Sequence, residues 1–478
     1  MPPYDLFHRY RPLIDDWPAF VAALERPLPV CVRANTLRIS GDELAGRLRS
    51  AGLEPEPVPW CPGAFLLSPD FKPGGRFEYA VGLYAVQEEV SLLPPALLAA
   101  APGQRVLDLC AAPGSKTGAL SAALGNRGTV VANDRDWGRV SMVRANLDRL
   151  GAANVTVTRR DAVNYPPEAG AFDRILADVP CSCEGTSRKS PEVLRLPPDV
   201  AAREKLVWIQ QLILRKAVQL CRPGGRIVYA TCTYAPEENE AVVDAVLRWA
   251  EGRVRLVPAR LPGLSSSPGL TWWNGRSFLP ELERTLRVWP HQNDTGGFFV
   301  ALLETDGEGK SPDTPLFDPP PVDREKWLAP IRDRFGLAPE AFRDVRLVAG
   351  SRKLHVVPEE HRSPAQPPPE VVGLPFLHTG MAVPKLTHPA SQLFLEGATR
   401  NVIEVDERQA ALYLSRQSFR LDGTSDGTVT SDGHVLLRHD GLPLGLGQLK
   451  GREVESYFPK RLAYGGEQLP LPGAARIW

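Results

Sequence analysis

The sequence predicts an α/β fold built on a mostly parallel sheet of seven strands with helices on both faces. Two observations lead to this prediction. Between residues 101 and 305, short apolar strands alternate with amphipathic helices, which is typical of parallel sheets. Several of these strands also end in an acid or in a loop of small residues, which is where such sheets hold their ligands.

Each element of this core follows from its local pattern. Strands are predicted at "QRVLDLC", "GTVVAND", "NVTVTRRDA", "FDRILADVP", "GGRIVYATCTY", "RVRLVPA" and "GGFFVALLE". Apolar residues at helical spacing predict helices near 115–124, over "RDWGRVSMVRANLDRLG", over 199–221 and over "EENEAVVDAVLRWAEG".

The flanks of the core have different patterns. In residues 1–100 we expect a strand at "CVRANTLRIS", a helix at "DELAGRLRSAG", and helical spacing over "AVGLYAVQEEVSLLPPALLAA" that Pro94 and Pro95 break. Residues 306–370 are predicted as a linker and connecting region, because both ends of the range are rich in proline and polar residues. Residues 371–478 contain short strand-like runs and turns, which predict a small, mostly β domain.

Composition limits the class of protein. Of the 478 residues, 56 are Lys or Arg and 56 are Asp or Glu, so net charge gives no argument for nucleic acid, and any basic surface must be local. No apolar run approaches the roughly 20 residues of a membrane span, and the first residues lack the layout of a secretory signal. The seven cysteines are odd in number and widely spread, which favours reduced thiols in a cytoplasmic protein.

The segment "VLDLCAAPGSKTGAL" reads as a strand, a loop of small residues and a helix. It contains neither a G-x-G-x-x-G dinucleotide fingerprint nor a phosphate-binding P-loop. Instead, Asp134, Asp161 and Asp178 each follow a later strand. Acids in these places suit a ligand with ribose hydroxyls, an adenine and a positive sulfonium, which is S-adenosylmethionine. The alternative for any one acid is a helix cap.

Cys181 and Cys183 in "DVPCSCEG" raise the question of a metal, a disulfide or chemistry. Tetrahedral zinc would need two further ligands, and C-x-C spacing suits it poorly, so no metal site is predicted. A disulfide would be strained at this spacing. Cys181 and Cys232 both follow strand ends on the cofactor side of the sheet, whereas Cys31, Cys61, Cys110 and Cys221 are predicted to be small buried hydrophobes.

Two cysteines beside a methyl donor indicate methylation of carbon 5 of a pyrimidine. A thiolate that adds to carbon 6 turns carbon 5 into a nucleophile, and a second group then assists release of the adduct. Asp178 is the candidate for stabilising charge near ring nitrogen 3. Residue types and spacing do not decide which of the two cysteines attacks.

Four motifs carry a resemblance: "LDLCAAPGSKT", "DVPCSCEG", "YATCTYAPEENE" and "RVWPHQNDTGGFFVA". This ordered set resembles the Nol/Nop/Sun family of RNA (cytosine carbon-5) methyltransferases, which implies a Rossmann-like, S-adenosylmethionine-dependent core. The resemblance implies that Cys232 is the nucleophile and that Cys181 assists release of the adduct. It also assigns the cofactor to Asp134, Asp161, Asp178 and to the loop residues Cys110, Ala111, Ala112, Pro113, Gly114, Ser115 and Lys116.

Cys183 departs from the family pattern, which usually has glycine at this position, and we expect it to have no role. The flanks resemble the amino-terminal RNA-binding segment ("VCVRANTLRIS") and the PUA-like carboxyl domain ("GLPLGLGQLKGREVESYFPKRLAYGG") of RsmF-type enzymes. This implies small-subunit (16S) ribosomal RNA as substrate, with tRNA as the alternative. A retired, non-catalytic RNA-binding protein is disfavoured because the nucleophile and acids are intact. A DNA cytosine methyltransferase is disfavoured because the family resemblance implies that it would lack the T-C-T element.

Basic residues near these motifs are candidates for RNA contact. Arg188 and Lys189 follow the "DVPCSCEG" loop, and Lys450 and Arg452 lie with Lys460 and Arg461 in the tail. Such groups neutralise phosphates, although a solvated basic face explains the tail cluster equally well. The target cytosine must leave its stack to reach the site. We expect ribosomal RNA or the small subunit as partner, no metal, no membrane, and a monomer.

Overall fold

The computed structural model describes residues 5–195, 200–307, 314–380, 384–421 and 428–463. Among these residues, no helix has both the length and the apolar composition that crossing a membrane requires.

The amino-terminal region contains a four-stranded antiparallel sheet in which the first strand of the chain lies between the third and the fourth. Its elements are α1 (Trp17–Glu25), β1 (Val30–Ala34), α2 (Gly41–Ser50), β2 (Glu56–Pro57), β3 (Ala64–Leu67), α3 (Phe77–Ala80), β4 (Tyr84–Val86) and α4 (Leu93–Leu98). The predicted strand and helix near residues 30–52 are thus confirmed. A capping box between Ser40 and Glu43 begins α2, because these side chains satisfy amide groups at the open end of the helix.

The helical spacing predicted between residues 80 and 100 is wrong for the first half of that segment, where the structure has β4. Its second half is helical, with a 3₁₀ helix at Glu89–Leu92 that leads into α4 at Leu93. Pro94 and Pro95 lie in the first turn of α4, where backbone amides have no helical partner, so the prolines start a helix instead of breaking one.

The central region contains every strand and helix predicted for it. Its elements are β5 (Arg105–Asp108), α5 (Ser115–Ala123), β6 (Thr129–Asp134), α6 (Trp137–Leu150), β7 (Val155–Arg159), β8 (Phe172–Asp178), α7 (Val200–Leu220), β9 (Cys221–Thr231), α8 (Glu240–Ala250), β10 (Val254–Val257), β11 (Ser267–Pro268), β12 (Trp272–Trp273), β13 (Arg276–Ser277), β14 (Leu286–Val288), α9 (Pro290–Asn293) and β15 (Phe298–Thr305). The helix α6 ends at Gly151, which adopts the left-handed conformation expected of a C-terminal cap.

With one later strand, most of these strands form a mixed sheet of ten strands rather than the predicted seven, and only its centre is parallel as predicted. Strands β7, β6, β5, β8 and β9 are parallel, β15 is antiparallel to β9, and β10 pairs with β15. Two apolar layers cover the faces of the sheet, one of which includes Leu107 and Ile175 and the other Val106 and Leu176. The carboxyl ends of β5, β6, β8 and β9 therefore lie along one edge of a buried, rigid support.

The carboxyl-terminal region consists of α10 (Arg324–Phe335), β16 (Val345–Ala349), β17 (Lys353–Pro358), β18 (Pro369–Val372), β19 (Leu374–His378), β20 (Lys385–Leu386), α11 (His388–Phe394), β21 (Val402–Glu404), α12 (Glu407–Leu414), β22 (Phe419–Arg420), β23 (Gly433–His439), β24 (Leu442–Lys450) and β25 (Glu453–Ser456). Strands β16, β17, β19 and β20 form one sheet, and β21, β23, β24, β25 and β22 form another. The mostly β character predicted beyond residue 371 is therefore present, together with two helices.

The predicted linker at 306–370 differs from the structure, because α10, β16 and β17 within it are regular elements. Leu328, Ile331 and Phe335 are buried at helical spacing along α10 and pack in one apolar cluster with β17 and β19. Pro330 and the surrounding charges concealed this spacing in the sequence. Strand β18 pairs with β7 and extends the central sheet.

The two flanking regions also pack against each other. Val32 and Phe65 of the amino-terminal sheet share one apolar cluster with Tyr413 and Val435 of the carboxyl-terminal region. Segments that are about 400 residues apart in the sequence are thus joined by a common core beside the central sheet.

Candidate active site

The predicted cofactor loop lies between the end of β5 at Asp108 and the start of α5 at Ser115. Gly114 precedes the helix with a φ of +103°, a conformation that favours glycine. A Cβ atom on Gly114 would lie 3.1 Å from the Cα of Val143 in α6. The loop is therefore held close against α6, with the segment Cys110–Lys116 at the edge where the strands end.

Of the predicted acids, Asp134 contacts this loop, whereas Asp161 makes a local contact after its own strand. The Asp134 carboxylate ends β6, is buried, and accepts from the Ala112 amide at 3.3 Å and from Arg139 Nε at 3.1 Å. Asp161 follows β7 and accepts from the Val163 amide at 3.0 Å, so it does cap a short 3₁₀ turn. Asp161 also lines an open cavity of about 460 Å³ together with Arg135, Asp136, Arg159 and Arg160.

Asp108 was missed in the sequence because it lies inside an apolar strand. Its Oδ2 accepts from the Thr117 hydroxyl at 2.7 Å, whereas its Oδ1 is buried and has no hydrogen-bond partner among the described residues. Burial raises the pKa of Asp108 to about 7, against the opposing effect of the Thr117 hydrogen bond. The sequence signal that could have identified Asp108 was an acid inside the apolar strand segment "VLDLC". A buried acceptor without a partner, beside Asp134 and a tight loop, fits a polar ligand such as S-adenosylmethionine.

Three thiols meet where β8 and β9 end. The Cys232 Sγ lies 3.4 Å from the Cys181 Sγ, and the Cys181 Sγ lies 4.0 Å from the Cys183 Sγ. All three sulfur atoms are within 4.8 Å of one another, and all three residues are half-buried. The two cysteines that the sequence placed at neighbouring strand ends are thus in contact, and Cys183 joins them.

Cys181 and Cys232 have opposite acidities. Hydrogen bonding from the thiols of Cys181 and then Cys183 holds the pKa of Cys232 well below its ordinary value, and nearby Lys116 also lowers it, while burial opposes both effects. The pKa of Cys181 is raised well above its ordinary value by its contacts with Cys183 and Cys232 and by burial. These opposite directions favour a thiolate on Cys232 and a protonated thiol on Cys181.

Asp178 and Lys116 connect the thiols to the cofactor loop. The Lys116 Nζ lies 2.6 Å from the Asp178 Oδ2 at the end of β8. Burial tends to lower the pKa of Lys116, but the charge of Asp178 and its hydrogen bond outweigh burial and raise it. The ammonium group therefore stays charged, next to both the Asp178 carboxylate and the Cys232 thiolate.

A buried polar network fixes the loop that carries Cys181. The Glu238 Oε2 accepts from the Ser182 amide at 3.0 Å and from Gln210 Nε2 at 3.0 Å, and the Ser182 and Thr233 hydroxyls lie 2.7 Å apart. Glu184 accepts from the Tyr10 hydroxyl at 2.7 Å and pairs with Arg203 at 3.1 Å. Glu184 and Glu238 belong to motifs that the sequence singled out, but their spacing alone did not reveal this bracing role.

The backbone also joins the two cysteine segments. The Gly185 amide donates to the Cys232 carbonyl at 2.9 Å, and the Gly297 amide donates to the Gly185 carbonyl at 2.8 Å. A Cβ atom on Gly185 would lie 2.3 Å from the Gly297 carbonyl oxygen. Only glycine fits this approach, so three separate motifs meet in one rigid assembly.

Arg188, one of the predicted RNA contacts, has its side chain enclosed by protein groups. Its side chain is only 1% exposed and donates to the carbonyls of Arg26, Pro27 and Thr295, while pairing with Asp294 at 2.9 Å. These partners occupy the guanidinium and hold the amino-terminal region against the active-site loop. Lys189 is exposed beside it, and Lys450, Arg452 and Lys460 are exposed in the carboxyl-terminal region. The side chain of Arg461 lies outside the described residues.

Of the four cysteines that were predicted to be buried, two are buried and two are half-buried. All seven are free thiols; Cys31 and Cys221 are buried, and Cys61 and Cys110 are half-buried. The thiol of Cys183 belongs to the cluster, and its expected lack of a role stays a prediction. Its φ of +59° is in the left-handed region, which a glycine would adopt without strain.

Three family models match consecutive parts of the chain. The N-terminal domain of 16S rRNA methyltransferase RsmF matches residues 3–89. The model for the 16S rRNA methyltransferase RsmB/F matches residues 95–304. The PUA domain of methyltransferase RsmF matches residues 400–464.

Individual proteins resemble the chain over the same regions. Ribosomal RNA small subunit methyltransferase F of Aeromonas hydrophila is 31% identical and aligns over 93% of both chains. The tRNA (cytosine(49)-C(5))-methyltransferase of Pyrococcus abyssi is 36% identical over 62% of this chain and 94% of its own. Among solved structures, a methyltransferase homolog from Pyrococcus horikoshii is 33% identical with a TM-score of 0.54, covering 60% of this chain and 90% of its own.

Proposed function

The chain belongs to the 16S rRNA methyltransferase RsmB/F family, and on that premise we propose that it methylates carbon 5 of cytosine in small-subunit ribosomal RNA through a covalent cysteine–base adduct. It is an S-adenosylmethionine-dependent methyltransferase. The observation that carries the proposal is the pair of thiols at neighbouring strand ends, 3.4 Å apart and opposite in acidity.

The cofactor would be held by the loop Cys110–Lys116 and by the acids around it. Asp134 is placed to accept from ribose hydroxyls, since it ends the second parallel strand beside the loop. Asp161 borders the open cavity, and the buried Asp108 offers a free acceptor beneath the loop. When bound, S-adenosylmethionine supplies an electrophilic methyl group on a positive sulfonium.

Cys232 is the nucleophile in this proposal. Its sulfur adds to carbon 6 of the cytosine, the new C–S bond frees the electron pair of the carbon 5–carbon 6 double bond, and carbon 5 becomes nucleophilic. The lowered pKa of Cys232 keeps the thiolate populated near neutral pH, and the adjacent Lys116 ammonium stabilises its charge. A thiol with an ordinary pKa would be mostly protonated under the same conditions.

Cys181 assists the final release. After the methyl group is in place, the proton on carbon 5 leaves to solvent, and its electron pair re-forms the double bond while the bond to the Cys232 sulfur breaks. The thiol of Cys181 lies 3.4 Å from that sulfur and donates to it as charge returns. A protonated neighbour is what the departing thiolate needs, and the raised pKa of Cys181 provides one.

Asp178 positions the base in this arrangement. The ion pair with Lys116 holds the carboxylate near Cys232, where it would reach nitrogen 3 of a cytosine bound to that sulfur. A proton passed to nitrogen 3 from the Asp178–Lys116 pair would neutralise the negative charge that the ring gains when the thiolate adds. Lys116 thus acts as a positioning residue for Asp178 as well as part of the cofactor loop.

The proposal also includes the RNA substrate, the residues that contact it and the cellular compartment. Exposed Lys189 beside the active-site loop, and Lys450 and Arg452 in the PUA region, would contact phosphates. The PUA match favours the ribosomal over the tRNA substrate, since it belongs to RsmF. We expect a cytoplasmic monomer that acts on ribosomal RNA or the small subunit, and the steps above require no metal because the thiolate is the nucleophile.

The test is methyl transfer from S-adenosylmethionine with a labelled methyl group to three substrates: small-subunit ribosomal RNA, assembled small subunits and tRNA. We expect label on carbon 5 of cytosine in ribosomal RNA or subunits, and none when Cys232→Ala replaces the wild-type chain. Labelling of tRNA without labelling of either ribosomal substrate would reject the proposed substrate class.

A further inference from the structure

We infer that Cys181, Cys183 and Cys232 together form a binding site for one soft d¹⁰ cation, of which Cd²⁺ and Zn²⁺ are examples. The reaction proposed above uses no metal, so this site is an addition to it. Because Cys232 is one of the ligands, an ion bound there would occupy the sulfur that must add to the base. We therefore infer a reversible state in which a bound metal ion blocks the proposed active site.

The distances between the sulfur atoms carry this inference. A zinc–thiolate bond is about 2.3 Å long, so three sulfur atoms around one ion lie on the order of 4 Å apart. The observed separations are 3.4 Å and 4.0 Å for the two pairs that include Cys181, and all three sulfurs lie within 4.8 Å of one another. Adjustments of less than about 1 Å would complete the coordination.

The backbone of Cys183 explains why a C-x-C segment can do this. In an extended chain, residues two apart lie roughly 6.6 Å apart, which is too far for their sulfurs to share an ion easily. Cys183 instead has φ +59° and ψ 20°, and this left-handed turn brings its sulfur to 4.0 Å from that of Cys181. The conformation is costly for a residue with a side chain, and glycine would remove both the strain and the third sulfur.

The ligands are also held in place before any ion binds. Glu238 anchors the Ser182 amide between the two cysteines of the loop, and the Gly185 amide anchors the Cys232 carbonyl. The nearby Lys116 ammonium is paired with Asp178 at 2.6 Å, so its repulsion of a cation is largely compensated. Pre-organisation of this kind reduces the ordering that metal binding would otherwise cost.

Binding would form three sulfur–metal bonds and release to solvent the protons that the thiols carry, without any change in oxidation state. The fourth position on a tetrahedral ion would remain open to water. The lone pairs of the Cys232 sulfur would then be engaged, and the thiolate could not add to carbon 6 until the ion was removed.

The experiment titrates the full-length, metal-free protein with Cd²⁺, in the absence of RNA and cofactor, and follows the ultraviolet sulfur-to-cadmium charge-transfer band. We expect one ion per chain for the wild type. Cys183→Gly, which suits the left-handed backbone, should weaken binding on the order of tenfold or more, since even residues that only support a ligand contribute that much. Cys183→Ser should do the same while keeping a side chain of similar size.

The matched control is Cys61→Ser, because Cys61 is also a half-buried thiol but lies outside the cluster, and this variant should bind like the wild type. Wild-type affinity and band intensity in both Cys183 variants would overturn the inference, as would loss of the band in Cys61→Ser. A second measurement, Cd²⁺ inhibition of methyl transfer and its reversal by a chelator, should show weaker inhibition in Cys183→Gly than in the wild type. Since the titration contains no RNA, its failure is distinguishable from failure of the proposed methyltransferase reaction.

Discussion

The loop "DVPCSCEG" after β8 and the segment "TCTY" after β9 occupy equivalent positions at neighbouring strand ends, yet their cysteines have opposite acidities. Cys232 has a lowered pKa and Cys181 a raised one, although both are half-buried and their sulfurs touch. Burial alone would raise the pKa of both thiols, so it does not produce the difference. Hydrogen bonding with the Cys181 and Cys183 thiols does, because it lowers the pKa of Cys232, and the nearby Lys116 ammonium lowers it further.

The two segments also differ in how they are held. The loop of Cys181 is bound by side chains, through Glu184 and Glu238 and their partners Tyr10, Arg203 and Gln210. Cys232 follows directly from a central strand of the sheet and is tied to the loop by one backbone hydrogen bond. In the proposed mechanism, the attacking sulfur therefore lies at the end of a central strand, and the assisting sulfur lies on a braced loop.

The largest effect is expected from Cys232→Ala, which removes the proposed nucleophile. Methyl transfer should fall on the order of 10⁴-fold or more, because no thiolate remains to activate carbon 5. No protein–RNA adduct should appear on a denaturing gel, while binding of S-adenosylmethionine measured by calorimetry should stay unchanged. Near-normal activity in this variant would refute the assignment of Cys232.

Cys181→Ala should allow the Cys232 thiolate to add to the base but slow its release from the adduct. The adduct should still form, but elimination should slow by roughly 10²-fold, since the departing sulfur loses its proton donor. A slowly migrating protein–RNA band should accumulate when RNA and cofactor are supplied. A trapped band with Cys232→Ala and none with Cys181→Ala would exchange the two roles and make Cys181 the nucleophile.

Asp134→Ala should weaken cofactor binding without changing the difference in pKa between Cys181 and Cys232. The loss of a buried carboxylate acceptor should raise the dissociation constant of S-adenosylmethionine on the order of tenfold or more, as measured by calorimetry. The alkylation rate of Cys232 by iodoacetamide should not change. An unaltered dissociation constant would remove Asp134 from the cofactor site.

The pH dependence of Cys232 alkylation by iodoacetamide tests the lowered pKa of this thiol directly. A lowered pKa means that Cys232 should stay reactive at pH values well below the ordinary thiol value near 8.5 and lose reactivity only as the pH falls through its own pKa. In Cys181→Ala the midpoint should move upward, because the first cause of the lowered pKa is removed. Mass spectrometry of the modified peptide identifies the site, and an unmoved midpoint would show that Cys181 does not tune Cys232.

The smallest effect concerns the backbone of Cys183. Ala keeps the strain of the left-handed conformation, whereas Gly relieves it, so Cys183→Gly should be more stable than Cys183→Ala by about 1 kcal/mol in the free energy of unfolding. Urea denaturation of the two variants measures this difference. Equal stabilities would mean that the loop adopts another conformation at this residue.

The sequence by itself determined the sheet, the cofactor loop and the order of the motifs. Alternation of strands and helices is a local pattern, and parallel strands necessarily end at one edge of their sheet, so Asp134, Asp178, Cys181 and Cys232 could be placed together from residue spacing alone. Regular elements in 324–358 were missed, because polar residues and Pro330 concealed the apolar spacing of α10.

Only the tertiary structure decided which contacts each charged or polar group makes at the edge of the sheet and around it. Arg188 looked like an RNA contact in the chain but is enclosed by carbonyls from segments more than 100 residues away, and Asp108 became a buried acceptor through its neighbours. Cys183 joined the thiol cluster through one backbone angle that spacing does not encode. Acidity and accessibility depend on atoms that are close in space and distant in sequence, and sequence patterns report only on neighbours along the chain.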